Sequence, residues 1–463
     1  LPAEQREVIV AQVLSGEIYT EHDRFPEAAN AYTSYLNMRP GILDAYAQER
    51  RGDALSAAGD HTGAIAAYQA ALNALAPAQD LALEVKLARA YAASGDAVTA
   101  IGMYDSIAAR SSNDYLKAQM DFLTGQLYLG LGQTDLAYER FQHTVNNYPL
   151  AYDSYSALVV LVEAGIPVDE LNRGLVDYFA GQYGVALLAF DRYLAMYPQN
   201  DGTVRYYRAL TLRELGRTTE AVDELTFFIQ NYPDNRYWQT AWDDKATIQW
   251  AYLDQYEAAA QTLLDFVAYV PASPYAPQAL LSAGRILERA GRLDEAATVW
   301  ERIGDAYPAS QEASQGLFWA GIARYRSGNV DGALLTFQRS LLLSTAPADQ
   351  ARAYFWIGKA QQRRGDAAAA GEAWRLAAGL DPSGYYTERA RDMLLGQAPF
   401  QPPPAYDLAF DPAAERAEAE VWIRVTFGLP GDTNLGDPGW LLQDARLVRG
   451  TELWHLGLYD EAR

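Results

Sequence analysis

Arg289, Arg326 and Arg363 recur at intervals of 37 residues, and Arg285 and Lys359 stand four residues before the first and third of them. Residues four apart share one face of a helix, so the five cations form a basic stripe if this stretch is helical. A guanidinium recognises a carboxylate through paired, in-plane N–H donors. The stripe is therefore a candidate binding site for a carboxylate-bearing partner such as a peptide C-terminus. Glu288, Asp294, Glu295 and Asp331 lie close in sequence, so the rival reading has these arginines paired with acids of a neighbouring segment, or solvated. Trp250, Tyr252 and Tyr325 fall in the same region and are the aromatic residues best placed for exposure. An exposed ring could stack on a sugar; a buried one packs the core.

Other chemistries find little support. The chain has no cysteine, so disulfides, thiolate metal sites and thiol nucleophiles are excluded. Its four histidines, His22, His61, His143 and His455, are far apart and lack ligand spacing, so no metal is assigned. Asp432, Asn434 and Asp437 lie in a Gly/Pro-rich loop whose spacing is not the calcium ligand series and reads as a structured turn. No catalytic residue and no cofactor are assigned. A net charge of −22 disfavours nucleic acid and anionic lipid, which select clustered Lys and Arg. No apolar run approaches the roughly 20 residues of a membrane-spanning helix.

The elements that would hold the stripe are announced by a repeated phrase. Gly-x4-Ala, or Asp-x4-Ala, ends on Ala28, Ala64, Ala100, Ala137, Ala186, Ala221, Ala259, Ala296, Ala333 and Ala370, and again on Ala462. A period near 37 marks stacked helical hairpins. Four residues after each anchor alanine comes a large apolar side chain, from Tyr32 to Trp374, on the same helical face. Twelve residues after seven of the anchors stands a proline, which is expected to close the second helix of its hairpin. Twelve residues before nearly every anchor the side chain is small, and the pair of small residues is expected to let the two helices approach closely. Thr247 is the departure.

In this order the small residue, anchor, aromatic and proline resemble the tetratricopeptide repeat, with ten complete units over residues 3–383. The resemblance implies an all-α, right-handed superhelical solenoid of about ten hairpins plus a C-terminal helical extension. It also places the first helix of each unit on a concave, ligand-binding face. Repeats are expected at 1–149 and 174–399, separated by an irregular helical insertion at 150–173, where Asp169 is placed to cap a helix. A proline-rich connector is expected at 400–412 and a helical extension at 413–463. In that extension "AAERAEAEVWIRVTFGL" reads as an amphipathic helix and "WLLQDARLVRGTELWHLG" as another. Ala462 would open the second helix of an eleventh unit, so the natural chain is expected to continue, as it is expected to begin before Leu1.

The segments "QARAYFWIGKAQQRRGD", "AWRLAAGLDPSGYYTERARDMLLGQAPF", "AEVWIRVTFGLP" and "RGTELWHLGLYDEAR" resemble the helical region that precedes the catalytic domain in soluble lytic transglycosylases, particularly long forms of Chloroflexi-type bacteria. This resemblance is most specific over roughly residues 315–463. It implies a cell-envelope, extracytoplasmic scaffold that positions peptidoglycan or protein partners for a downstream lysozyme-like domain. That domain's Glu-Ser, Gly-Leu-Met-Gln and Ala-Tyr-Asn-Ala-Gly motifs do not occur here, and no glutamate inherits the catalytic role. Glu388 reads instead as a helix-face partner of Arg389 and Arg391. The alternatives are a stand-alone protein-interaction scaffold and a surface or filament component that self-associates through open solenoid ends.

Overall fold

A computed structural model describes residues 3–74, 80–399, 409, 411–436 and 439–462. Among these residues all regular structure is helical. Contacts divide the chain into two compact units, residues 1–180 with 407–463, and residues 181–406.

The first unit opens with four hairpins: α1 (Ala3–Glu21) with α2 (Phe25–Met38), α3 (Asp44–Ala57) with α4 (His61–Ala74), α5 (Leu81–Ala93) with α6 (Ala97–Arg110), and α7 (Asp114–Gly130) with α8 (Thr134–Asn147). Two further helices follow, α9 (Tyr152–Glu163) and α10 (Glu170–Phe179). The first of them is an additional helix inside the segment 150–173. Asp169 caps the second, its carboxylate accepting the Asn172 amide at 3.0 Å.

The second unit begins with α11 (Tyr183–Met196) and continues through α12 (Thr203–Glu214), α13 (Thr218–Asn231), α14 (Trp238–Ala251) and α15 (Tyr256–Tyr269). Its later hairpins are α16 (Ala276–Arg289) with α17 (Leu293–Ala306), α18 (Glu312–Ser327) with α19 (Val330–Leu343), and α20 (Pro347–Arg364) with α21 (Ala367–Ala378). The unit's last helix is α22 (Tyr385–Leu395). Within each unit, helices pack mainly on their neighbours in chain order.

The C-terminal segment, part of the first unit, holds α23 (Pro412–Phe427), a 3-10 turn (Gly439–Gln443), α24 (Ala445–His455) and the short α25 (Tyr459–Ala462). The expected single helix over 440–457 is thus broken. Asp444 ends the 3-10 turn and caps α24, accepting the Arg446 amide at 2.8 Å. Most of the expected connector, residues 400–408 and 410, lies outside the described residues, as does Asp437.

The repeated phrase has a simple physical content. Its first residue is the left-handed residue that ends the first helix: Gly59 has φ 83° and Gly291 φ 76°. Where Asp replaces Gly, Asp23 and Asp254 take the same conformation at φ 57° and 54°. The anchor alanines from Ala28 to Ala370 are fully buried. Six of the seven prolines stand two residues beyond the second helix; α21 instead stops at Ala378, four residues short of Pro382.

One expectation needs correcting. The small residue twelve before the anchor does not simply clear space for the anchor; it lies under the aromatic ring four residues after it. A Cβ added at Gly52 would sit 2.5 Å from Tyr68, at Gly284 2.3 Å from Trp300, and at Gly358 2.2 Å from Trp374. Spacing along the chain defines a helix face, but not which side chain of the opposite helix fills it.

Candidate partner-binding face

The five cations all lie on first helices, α16, α18 and α20. Arg289 is the last residue of α16, and Arg326 and Arg363 are the next-to-last residues of α18 and α20. Cations there oppose the negative end of the helix dipole, which gives part of the stripe a local structural reason.

The stripe is interleaved with aromatic rings from the adjacent first helices. The Arg289 guanidinium lies 4.7 Å from the centre of the Trp250 ring, Arg285 4.7 Å from Trp319, and Arg363 4.8 Å from Tyr325. Tyr325 in turn meets Trp356 edge-on at 5.6 Å. Trp250 and Tyr325 are therefore only partly exposed, being covered by arginines, and do not offer free faces to a sugar. Tyr252 alone of the three is open, at 56% exposure, but it follows the end of α14 rather than lying within it.

Acids compensate the stripe unevenly. Arg326 pairs with Glu288 of the preceding hairpin. Arg363 donates to the Tyr325 carbonyl at 2.8 Å, and its neighbour Arg364 pairs with Asp331 at 2.8 Å. Asp294 and Glu301 share Arg324, while Glu295 pairs with Arg292. Arg285, Arg289 and Lys359 have no acidic partner among the described residues. Further along, Arg391 pairs with Glu388 as expected, whereas Arg389 pairs with Asp392 instead.

A guanidinium lying over a ring spends its flat face on the ring and keeps its N–H edge available. Arg285 and Arg289 are thus positioned, uncompensated donors for a carboxylate. Trp319, the platform under Arg285, was not singled out from the sequence. Its signal was available: Trp319 and Trp356 stand at the same repeat position, 37 residues apart.

Tetratricopeptide-repeat models match residues 171–236, 251–311 and 318–385, and also 120–151, while a tetratricopeptide repeat-like domain model matches 37–92. The chain is built of tetratricopeptide repeats. Solved structures similar to this tetratricopeptide chain include the P58(IPK) TPR domain, 18% identical over 77% of this chain and 100% of that one, with a TM-score of 0.23. A tetratricopeptide repeat protein from Parabacteroides merdae ATCC 43184 is 17% identical over 60% and 97%, with a TM-score of 0.26. A chain of Naa15/Naa10 bound to HypK-THB is 15% identical over 98% and 74%, with a TM-score of 0.25. No curated protein sequence matches. Among the described residues no helix is long and apolar enough to cross a membrane.

Proposed function

We propose that this tetratricopeptide chain is a protein-interaction scaffold, and that the first-helix face of α16, α18 and α20 holds a carboxylate-bearing segment of its partner. The observation that supports this most is the state of Arg285 and Arg289, stacked on Trp319 and Trp250 with no acid to neutralise them. Two such donors on successive turns of one helix suit an acidic peptide better than a neutral one.

The test is calorimetric titration of the full chain with an oligoglutamate peptide at low salt. Arg285→Glu with Arg289→Glu should weaken binding at least about tenfold, since a charge-assisted hydrogen bond contributes roughly 1.5–3 kcal/mol. Arg326→Glu should have a smaller effect, because Arg326 already has Glu288. Equal affinity for wild type and the double variant would remove the site.

A finer reading rests on the resemblance of residues 315–463 to the helical region of soluble lytic transglycosylases. Under it the scaffold works in the cell envelope, outside the cytoplasm, and the carboxylates it meets are those of peptidoglycan stem peptides. Co-sedimentation with purified sacculi, lost in the Arg285→Glu/Arg289→Glu variant, is the expected result. Sacculi that leave the wild-type chain in the supernatant would rule this reading out while leaving the scaffold intact.

A further inference from the structure

The C-terminal helices make a contact that no repeat predicts. Leu453 and Leu456, 9% and 4% exposed, join Ile9, Val13, Tyr35 and Leu43 in one apolar cluster of the first unit. They are the only buried side chains among the described residues from 411 to 462. Around them Arg39 pairs with Glu452 at 3.4 Å, and Arg50 reaches Glu461 at 3.9 Å.

We propose that the α1–α3 face is an acceptor for a partner helix carrying Leu-x-x-Leu directly preceded by an acid, and that α24–α25 is the chain's own stand-in, displaced when that partner binds. Four observations carry this. The contact rests on two buried leucines, on Leu458 and Ala462 packed partly buried beside them, and on two long ion pairs whose side chains stay partly in water. Among the described residues the segment leading to it buries nothing else: α23 has no buried side chain, with Trp422 61% and Val425 78% exposed. The face is larger than its occupant, because a cleft of about 1160 Å³ remains beside Leu453, lined by Leu43, Tyr46, Asp44, Glu49 and Arg449. Charge indicates the chemistry, since Arg39 of the face meets Glu452 of the helix, while Arg50 is shared between Glu461 and Glu17 of α1. A tethered segment acts at a high effective concentration, so a competitor must add contacts, and the cleft is where it would find them.

The experiment uses the full chain and a fluorescent peptide of residues 441–462 as probe. The wild-type chain should bind it weakly. Leu453→Asp with Leu456→Asp should free the face and bind it at least about tenfold more tightly; the same two changes in the peptide should abolish binding. Because the chain has no cysteine, Arg39→Cys with Glu452→Cys gives two unique thiols, which a short bis-maleimide should join within a single chain and so block the peptide. A cross-linked dimer would assign the helix to a second copy and overturn the proposal. So would a released variant that binds no better than wild type. Loss of hydrogen-exchange protection across α1–α4 in that variant would also overturn it, by making α24 part of the core. The arginine face of α16–α20 plays no part, so each proposal can fail alone.

Discussion

A large apolar side chain, most often an aromatic ring, closing on a small residue is the recurring unit of this molecule. Tyr32 donates to Glu17 and Tyr68 to Asp53, each at 2.8 Å, from rings that lie against Gly16 and Gly52. Burial, then the neighbouring carboxylate, raises both phenols far above their ordinary range. Trp300 and Trp374 do the equivalent with carbonyls, donating to Leu281 and Phe355 at 3.0 and 3.1 Å. Gly284→Ala and Gly358→Ala should each destabilise their hairpin by about 1–3 kcal/mol through overpacking. Lowered urea midpoints and faster exchange in α16–α17 and α20–α21 would show it; unchanged values would mean that the ring can shift aside. At this scale the sequence was partly readable. It displayed the small residues, the anchors and the rings, but not which met which, because contact across two helices depends on rotamers that spacing does not encode. For the same reason it could not show that Arg289 covers Trp250, although both residues were marked.

Helices here begin and end where single residues make them. The left-handed residue after each first helix, and the proline after most second ones, were legible because each acts on its own backbone. Less legible was the C-terminal segment, where Asp444 splits an expected helix in two. Its carboxyl group is held down to about 2, mainly by the Arg446 side chain and then by the Arg446 amide that it caps. A depressed folded-state value means that the cap is fully effective above pH about 4 and is lost as pH falls towards 2. Exchange protection of α24 should therefore decline across that window relative to Asp444→Asn, whose residual cap does not titrate. If the two chains lose protection in parallel, other carboxylates govern the helix. The exposure of α23 was not readable either: its apolar positions predict a buried face, and nothing among the described residues covers it.

Within each unit the contacts run mainly between neighbouring helices, so its stability is largely a sum of local terms. Unfolding should accordingly be staged. Calorimetric and van't Hoff enthalpies should disagree, and tyrosine and tryptophan signals should report different midpoints, since all ten tryptophans follow residue 237 and seven of them, Trp238 to Trp374, lie in the second unit. A single coincident transition would require coupling that neighbour contacts do not provide. Period and composition made the stack visible from sequence. They could not reveal the return of α24 to α1–α3, a pairing of residues 413 apart such as Arg39 with Glu452, because it has no period. The shortest contacts have the longer consequence. Since ring and small residue close on each other inside one hairpin, with Tyr32 only 15 residues from Glu17 and Tyr68 only 15 from Asp53, each block brings its own fastening. Recombination that copies or drops one such block leaves the fastenings of its neighbours whole, and lineages carrying different numbers of them can all keep folding.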